Sequence, residues 1–444
     1  MPILSALYLQ NRLLIACMVL IALLALSFGL EWLFLPAKIL NGLLVLVLLI
    51  DIGLLFSLEQ GVTADRHMES KLSNGEANLI RITARNCYRF KVGIEVLDEA
   101  PEQFQARNLH LRQHNVPPKS TVEFRYYLRP TKRGEYQFGA INVYVTSPIG
   151  LVARRYKFAQ GTTVSVYPSL IQMRKYEMML FANRLTEAGL KRIRRIGQNM
   201  EFEQIREYVS GDDYRSLNWK ATARRNQLMV NQFQEERSQH MYNVIDKGRA
   251  MKMPFAGLTL LDYAINTSLV MANIALLKGD KAGLVTFNQR IGTILPAERK
   301  QTQMKKILEA LYNQKTSYKE PDYDLLFTTL LKKIKQRSLL ILYTNFETQL
   351  SLERQLPGLQ KLAKQHLLIV VIFKNTELNQ LLQSRPRNLE EVYIKTIAEK
   401  FMLEKELIAK RLMQNGIYAI LTEPTQLTID TINKYLELKA RHLI

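Results

Sequence analysis

Carboxylates that could take part in chemistry stand at two points of the chain. Asp212 and Asp213 are adjacent after Gly211, and Asp246 ends a short apolar stretch further along. Neighbouring carboxylates can exchange protons as general acid and base, or can hold a divalent metal that activates water. One hypothesis is therefore a metal-dependent hydrolase that uses Asp212, Asp213 and Asp246.

The other residue types that catalysis needs do not complete such a site. The histidines form no metal-ligand pair at helical spacing, because His110 and His114 precede Pro117-Pro118 in a segment that we predict to be a loop. There is no Ser or Cys nucleophile motif, and the segment after Asp246 lacks the glycine spacing of a phosphate-binding loop. We therefore expect no catalytic residues, no enzyme activity and no cofactor, with Mg²⁺ at Asp246 as the alternative.

The segment around the two aspartates predicts two helices joined by a turn. Phe202, Ile205 and Val209 recur at helical spacing, and Ser210-Gly211 would end that helix. Asp212 or Asp213 could cap the next helix. The expected partners of these acids are Arg215, Lys220, Arg224 and Arg225. The favoured interpretation is a buried or half-buried charge network that fixes the junction between two domains.

The same residues carry a resemblance to a known family. The matching positions are Glu201-Phe202, Arg206-Glu207-Tyr208, Gly211-Asp212-Asp213, Arg215, Asn218-Trp219-Lys220 and Ala223-Arg224, with Thr131 to Tyr136, Ser147 to Leu151 and Val166 to Pro168 upstream. This combination, within residues 12–300, resembles the domain-of-unknown-function family 58. The resemblance implies a membrane-anchored protein with a β-rich domain and a von Willebrand factor A-like domain, often linked to MoxR-type AAA+ ATPases. The biochemical activity of the family is not established.

From the resemblance, we expect an interaction or structural signature in this segment. Its members are Glu201, Arg206, Tyr208, Gly211, Asp212, Asp213, Arg215, Trp219, Lys220 and Arg224.

Charge is distributed unevenly along the 444 residues. The ionisable side chains Arg12, Glu31, Lys38 and Asp51 of residues 1–58 cancel, so residues 59–444 hold the whole formal charge of +21. A basic surface suits anionic lipid headgroups, an acidic protein or nucleic acid. A membrane anchor would favour lipid, and nucleic-acid binding stays as an alternative. The two cysteines, Cys17 and Cys87, cannot build a disulfide framework, which fits a reducing compartment.

Two apolar stretches near the N-terminus predict a transmembrane hairpin over residues 1–58. Leu13 to Leu35 and Ile39 to Leu58 are each long enough to cross a hydrocarbon layer of about 30 Å. Basic residues outside the short loop favour both ends in the cytoplasm, and so an inner-membrane location. Asp51 would be costly at mid-membrane, so we expect it to face a helix or to lie near the interface.

The remainder predicts an all-β domain followed by an α/β domain. Short period-two runs over residues 59–169 are typical of an antiparallel β-sandwich. Residues 170–238 would form a helical linker that contains the signature and the basic run 191–195. Over residues 239–444, apolar strands alternate with helices, which predicts a doubly wound sheet of the von Willebrand A-like type.

In von Willebrand A-like domains the metal-dependent adhesion site uses Asp-x-Ser-x-Ser after the first strand. This chain keeps Asp246 but has Gly248 and Ala250 in place of the two hydroxyls. We therefore predict a degenerate site without tight metal, although Asp322 or Asp324 could approach Asp246. A partner would then bind at the same strand ends through Asp246 and Arg249.

Three functions follow as hypotheses. The first is a membrane-anchored, non-enzymatic scaffold or adaptor that works with a MoxR-type ATPase in protein complex assembly, maturation or envelope homeostasis. The second is the membrane-tethered, metal-dependent hydrolase, and the third is a basic nucleic-acid-binding protein. Steep loss of nucleic-acid affinity with salt would distinguish the third.

Overall fold

The chain divides into two units, Met1–Ile171 and Gln172–Ile444. The computed structural model describes residues 3–104, 110–159, 161–181, 200–210, 212, 214–235, 238–375, 382, 386, 388–441 and 443. The basic run 191–195 and the signature positions Gly211 and Asp213 lie outside the described residues.

The first unit consists of two long apolar helices and an all-β region. Its elements are α1 (Ile3–Ala6), β1 (Leu7–Leu9), α2 (Asn11–Ser27), α3 (Phe34–Phe56), β2 (Val62–His67), β3 (Lys71–Ser73), β4 (Asn78–Asn86), β5 (Val92–Asp98), β6 (His110–Val116), β7 (Thr121–Leu128), β8 (Gly134–Phe138), β9 (Ile141–Thr146), β10 (Val152–Phe158) and β11 (Thr162–Tyr167). Helix α4 (Leu170–Phe181) begins at the end of this unit.

Helix α3 is long and apolar enough to cross a membrane, and only 11% of its most apolar window is buried. Helix α2 is also apolar but shorter, with 17 residues. The helix bounds predicted at Leu35 and Ile39 are wrong, because α2 ends at Ser27 and α3 already begins at Phe34. Pro36 therefore lies in the first turn of α3, where a helix tolerates proline.

The β region forms three small sheets around one hydrophobic core. The sheet orders are β1-β10-β9-β5-β6, β3-β11-β8 and β2-β4-β7. All pairings within them are antiparallel except that of β3 with β11. Strand β4 shows the predicted period of two, since Ile80 and Ile82 are buried and Arg81 between them is exposed. Ile94, Val143 and Val164 from other sheets join the same core.

The second unit contains the predicted α/β region. Its elements after α4 are β12 (Met200–Glu207), α5 (Trp219–Arg225), β13 (Met229–Glu235), β14 (His240–Asp246), β15 (Pro254–Phe255), β16 (Leu258–Thr259), α6 (Leu260–Leu277), β17 (Lys281–Phe287), β18 (Ile291–Glu298), α7 (Thr302–Tyr312), α8 (Tyr323–Lys333), β19 (Leu339–Tyr343), α9 (Gln349–Gln365), β20 (Leu367–Phe373), α10 (Leu389–Gln414), β21 (Tyr418–Thr422) and α11 (Leu427–Ala440).

Six strands form the main sheet in the order β18-β17-β14-β19-β20-β21. Strand β18 is antiparallel to β17, and the other neighbours are parallel. Every residue of β19 is buried, as expected for a strand that is covered on both faces. Helix α6 is also long and apolar enough to cross a membrane. Because 78% of it is buried, we assign it to the core of this unit.

The predicted helix over residues 201–209 is wrong, because this segment is strand β12. It pairs antiparallel with β13, with Arg206 opposite Val230 and a bulge between Phe202 and Gln204. A bulge shifts the alternation of a strand by one residue, so apolar residues three apart can share a face. The spacing of Phe202 and Ile205 therefore fits a bulged strand as well as a helix, and pairing with a distant strand decided between them.

Candidate functional site

The carboxyl ends of the parallel strands converge on a buried acid. Asp246 ends β14, is 1% exposed, and accepts hydrogen bonds from Gly248 N at 2.7 Å, Thr344 Oγ1 at 2.8 Å and the Tyr323 hydroxyl at 3.1 Å. The Tyr323 and Thr344 hydroxyls are themselves 2.5 Å apart. Burial raises the pKa of Asp246 to about 6, and the three donors oppose that rise.

Neither Asp322 nor Asp324 approaches Asp246 in the way the sequence suggested. Asp322 caps α8 by accepting the Leu325 N–H at 2.9 Å, and Asp324 is exposed. Tyr323 between them points the other way, to the buried acid. Sequence reasoning missed Tyr323 because an aromatic residue at the start of a helix gives no sign of its distant partner. Thr344 had the better signal, since it directly follows β19.

The residues around Asp246 do not fit the magnesium site of an adhesion domain. Gly248 and Ala250 offer no hydroxyl, and Asp246 Oδ2 already accepts hydrogen bonds from the Tyr323 and Thr344 hydroxyls. A Cβ at Gly248 would lie 2.6 Å from the Pro321 ring, so a serine has no room there. Within the described ranges, no group of three or more His, Cys, Asp or Glu could hold a metal. The absence of a tight metal stays a prediction.

A groove lies beside this buried acid at the same edge of the sheet. Its volume is about 480 Å³. The apolar lining comes from Met253, Pro254, Phe255, Leu260, Phe373, Phe401 and Met402. Arg249, Lys374, Lys405 and Glu347 add three cationic side chains against one carboxylate. The groove can therefore take an apolar side chain together with an anionic group.

Lys405 is the most confined of these cations. Its Nζ donates to Asn345 Oδ1 at 2.6 Å and to the Phe346 carbonyl, and burial lowers its pKa to about 8. Near neutral pH the Lys405 side chain is a charged ammonium group that is only partly solvated. Such a group can form a charge-assisted hydrogen bond with an incoming carboxylate. Its position inside α10 gave no sequence signal that it faces the groove.

The Asp246 carboxylate, which we expected a partner to contact, is buried and already accepts hydrogen bonds from Tyr323 and Thr344 inside the fold. Arg249 is different. It lines the groove, and its Nη2 lies 4.0 Å from Glu347 with more than half of each side chain exposed. Arg249 is thus the residue of the predicted pair that a partner can reach.

The signature segment forms a separate feature, a strand pair with a short helix. Arg206 donates to both carboxylate oxygens of Asp212, at 2.8 and 2.7 Å, and Asp212 also accepts the Val209 N–H at 2.9 Å. The Arg206 guanidinium keeps the pKa of Asp212 below its ordinary value. Asp212 therefore fixes the turn after β12.

The predicted partners and caps in this segment need correction. Asp212 pairs with Arg206, and Asn218 caps α5 through the Ala221 N–H at 3.0 Å. The Arg206 and Asp212 side chains are 37% and 20% exposed, so the pair is not deeply buried. Both charged groups are therefore partly solvated.

The remaining signature residues lie at the surface or outside the described side chains. Trp219 is 69% exposed, Tyr208 is 36% exposed, and Lys220 and Arg224 are exposed. For Glu201 and Arg215 only the backbone is described, in β12 and in a 3₁₀ turn at Tyr214–Ser216. An exposed tryptophan beside cations is typical of a contact surface.

Part of the chain matches a family of unknown function. Residues 204–385 match the family described as protein of unknown function DUF58. The uncharacterised protein YeaD of Bacillus subtilis (strain 168) is 28% identical over 229 residues, which cover 50% of this chain and 54% of that protein. The match thus spans about half the length of this curated relative.

Two solved domains each match about a quarter of the chain. A CARDB domain from Pyrococcus furiosus, in a solution structure, has 16% identity and a TM-score of 0.16, covering 24% of this chain and 94% of that one. The human CEP192 PapD-like domain 7 has 12% identity and a TM-score of 0.18, covering 24% and 84%. At these scores the likeness carries no argument.

Proposed function

We propose that this protein is a membrane-anchored, non-enzymatic adaptor that binds a protein partner in the groove beside Asp246. The observation that carries the proposal is the groove itself, with its apolar lining and its excess of cationic side chains. Grooves with mixed lining of this kind occur where open α/β sheets bind ligands, outside the carboxyl ends of the strands. The occupant is a protein segment that presents an apolar side chain next to a carboxylate.

The architecture behind this function is also a proposal. The strand order β18-β17-β14-β19-β20-β21, with its antiparallel edge strand, supports a von Willebrand A-like domain. The single core shared by the sheets of the first unit supports a β-sandwich. In this domain the Asp246 carboxylate makes hydrogen bonds within the fold, so a partner would bind in the neighbouring groove instead.

The partner we propose is a MoxR-type AAA+ ATPase, as the family resemblance implies. The pair would act in protein complex assembly, maturation or envelope homeostasis. Charge supports an acidic partner segment, since Arg249, Lys374 and Lys405 face a single acid in the groove.

Site-specific photo-crosslinking in native membranes tests the partner. A crosslinking amino acid at Phe401, which is 46% exposed in the groove, should capture a MoxR-type ATPase identifiable by mass spectrometry. Leu277 is a matched control, because it is 43% exposed at the far end of α6, about 26 Å from Leu260 in the groove. Capture of the ATPase from Leu277 as readily as from Phe401, or from neither, would overturn the assignment.

The anchor requires its own test. We propose that α2 and α3 cross the inner membrane as a hairpin with both ends in the cytoplasm. Support comes from the β region, which contacts the start of α2 and the end of α3. A reporter enzyme fused after Leu58 should be active only in the cytoplasm, and periplasmic activity would reverse the topology and exclude a cytosolic ATPase partner.

A further inference from the structure

A polar cavity lies where the first unit's β region meets the start of helix α2. It has a volume of about 310 Å³ and lies over the sheet that contains β5, β6 and β9. Its lining includes the cationic side chains Arg12, Lys91 and Arg112, together with His114 and the acid Glu95. None of these residues takes part in the proposed groove.

The charges in this cavity do not cancel. Glu95 is already paired with Arg112, whose Nη2 lies 2.5 Å from Glu95 Oε2. Arg12 donates to the Ile149 carbonyl at 3.4 Å, a long bond that leaves most of its donor capacity free. Lys91 is exposed, and within the described part of the chain it has no carboxylate partner. The cavity therefore presents two uncompensated cations.

The position of the cavity sets which anions it would meet. About 20 residues of α3, counted from Phe34, fill the hydrocarbon layer and end near Gly53. Asp51, two residues earlier, accepts the Leu151 N–H, and Arg12 contacts the neighbouring Ile149 in the same turn. The headgroup layer adds about 5 to 7 Å on each side of the hydrocarbon. With the proposed anchor, this count brings the cavity to the level of lipid phosphates.

We propose that this cavity binds a phosphate group through Arg12 and Lys91, carried by an anionic phospholipid headgroup or by a soluble phosphate compound. The lipid source rests on the proposed membrane anchor, whereas the phosphate site does not. Helix α2 starts at the cavity, and its N-cap residue Gln10 makes no side-chain capping bond. Its first N–H groups add to the positive potential.

Lipid retention by the purified full-length protein tests the site. The protein is reconstituted in nanodiscs of phosphatidylcholine alone or mixed with phosphatidylglycerol, and native mass spectrometry counts the lipids that stay bound. Phosphatidylglycerol should be retained in preference, and Lys91→Gln or Arg12→Gln should each lower its retention about fivefold. The control Lys157→Gln removes an exposed lysine on β10, about 16 Å along the strand from Val152, and should change nothing.

A second measurement separates the two sources of phosphate. Inorganic phosphate is titrated against the detergent-solubilised protein and followed by ³¹P NMR line broadening. Broadening that Lys91→Gln removes, without any lipid preference, assigns the site to a soluble phosphate compound. If neither lipid nor phosphate binding depends on Lys91 or Arg12, the proposal is wrong. Flotation of the protein with vesicles reports separately on the anchor.

Discussion

The carboxylate of Asp51, inside the apolar helix α3, accepts the backbone N–H of Leu151 at 2.9 Å. The same carboxylate also accepts the Val152 N–H at 3.1 Å and the Ser147 hydroxyl, and it is completely buried. Near the end of the same helix, Arg154 donates to the Leu55 carbonyl at 2.8 Å. These contacts attach the β region to the end of helix α3, so the first unit combines the two parts predicted separately.

Replacement of Asp51 should therefore weaken the fold even where it favours insertion. Asp51→Leu removes the membrane cost of a charge, yet leaves three buried donors without an acceptor. We expect a loss of about 3 kcal/mol or more in the free energy of unfolding, with faster proteolysis at the turn 147–151. Thermal denaturation in detergent measures this, with the exposed acid Glu59→Leu as control. A more stable Asp51→Leu protein would show that membrane cost dominates.

Asp246 should make the second unit less stable as the pH rises from about 4 to about 6. Its pKa rises from 3.8 to about 6 in the folded state, so the folded state binds more protons than the unfolded state in this window. A shift of about 2 units corresponds to about 2 to 3 kcal/mol. Asp246→Asn should remove this part of the pH dependence and should be at least as stable as the parent at neutral pH.

The comparison between parent and variant isolates Asp246 from other groups. His366 and His240 have pKa values lowered by burial, so their contributions to stability are lost as the pH falls. The change of stability with pH that these histidines cause is opposite in sign to that of Asp246, and it is the same in the parent and in the variant. Asp324→Asn, which removes an exposed acid next to Tyr323, should keep the slope of the parent. An unchanged slope in Asp246→Asn would contradict the prediction.

Calorimetry with Mg²⁺ or Mn²⁺ on the full-length protein should show no micromolar binding at Asp246. A divalent ion would have to displace the Tyr323 and Thr344 hydroxyls and would gain a single carboxylate, which is little compensation for the dehydration of Mg²⁺. Micromolar binding that Asp246→Ala abolishes would restore a metal-dependent adhesion mechanism.

Gly248→Ser should fail to install a metal site and should destabilise the protein. Its Cβ would meet the Pro321 ring at 2.6 Å and an Asp246 oxygen at 3.0 Å, and overpacking of this kind costs about 1 to 3 kcal/mol. Ala250→Ser adds the same hydroxyl at a position that already has a Cβ and serves as control. Chemical denaturation compares the free energies of unfolding of the two variants. Equal stability would show that the Pro321 ring moves to accommodate the new side chain.

The Arg206–Asp212 pair should affect local order more than global stability. The sequence predicts a buried or half-buried charge network here, and the pair is partly exposed, so water screens its attraction. Asp212→Ala should instead speed hydrogen exchange at Val209, whose N–H it holds. The pKa of Asp212 is lowered in the fold, so its contribution should fade as the pH falls below about 4.

Trp219→Ala distinguishes a structural role of the signature segment from a role in partner binding. Trp219 is 69% exposed, so its removal should leave thermal stability unchanged. Loss of the crosslinked partner in this variant would make the signature a binding surface. Loss of stability would instead support the predicted role at the junction between the two soluble domains.

Local sequence patterns determined most of the second unit. Strands β14, β17, β19, β20 and β21 are short runs of apolar residues, and the helices between them repeat with the helical period, so each element is visible from its own residues. The apolar length of α3 and the period of two in β4 are equally local properties.

Tertiary structure alone decided the features that depend on distant partners. Strand β12 forms because β13 pairs with it. Asp51 is tolerated inside an apolar helix because the turn at Ser147 provides hydrogen-bond donors for its carboxylate. The Asp246 carboxylate is already hydrogen-bonded because the Tyr323 hydroxyl reaches it across the strand ends. The sequence separations of these pairs carry no local signal. A hydrogen bond depends on distance in space, whereas a periodic pattern records only the surface that each residue will face.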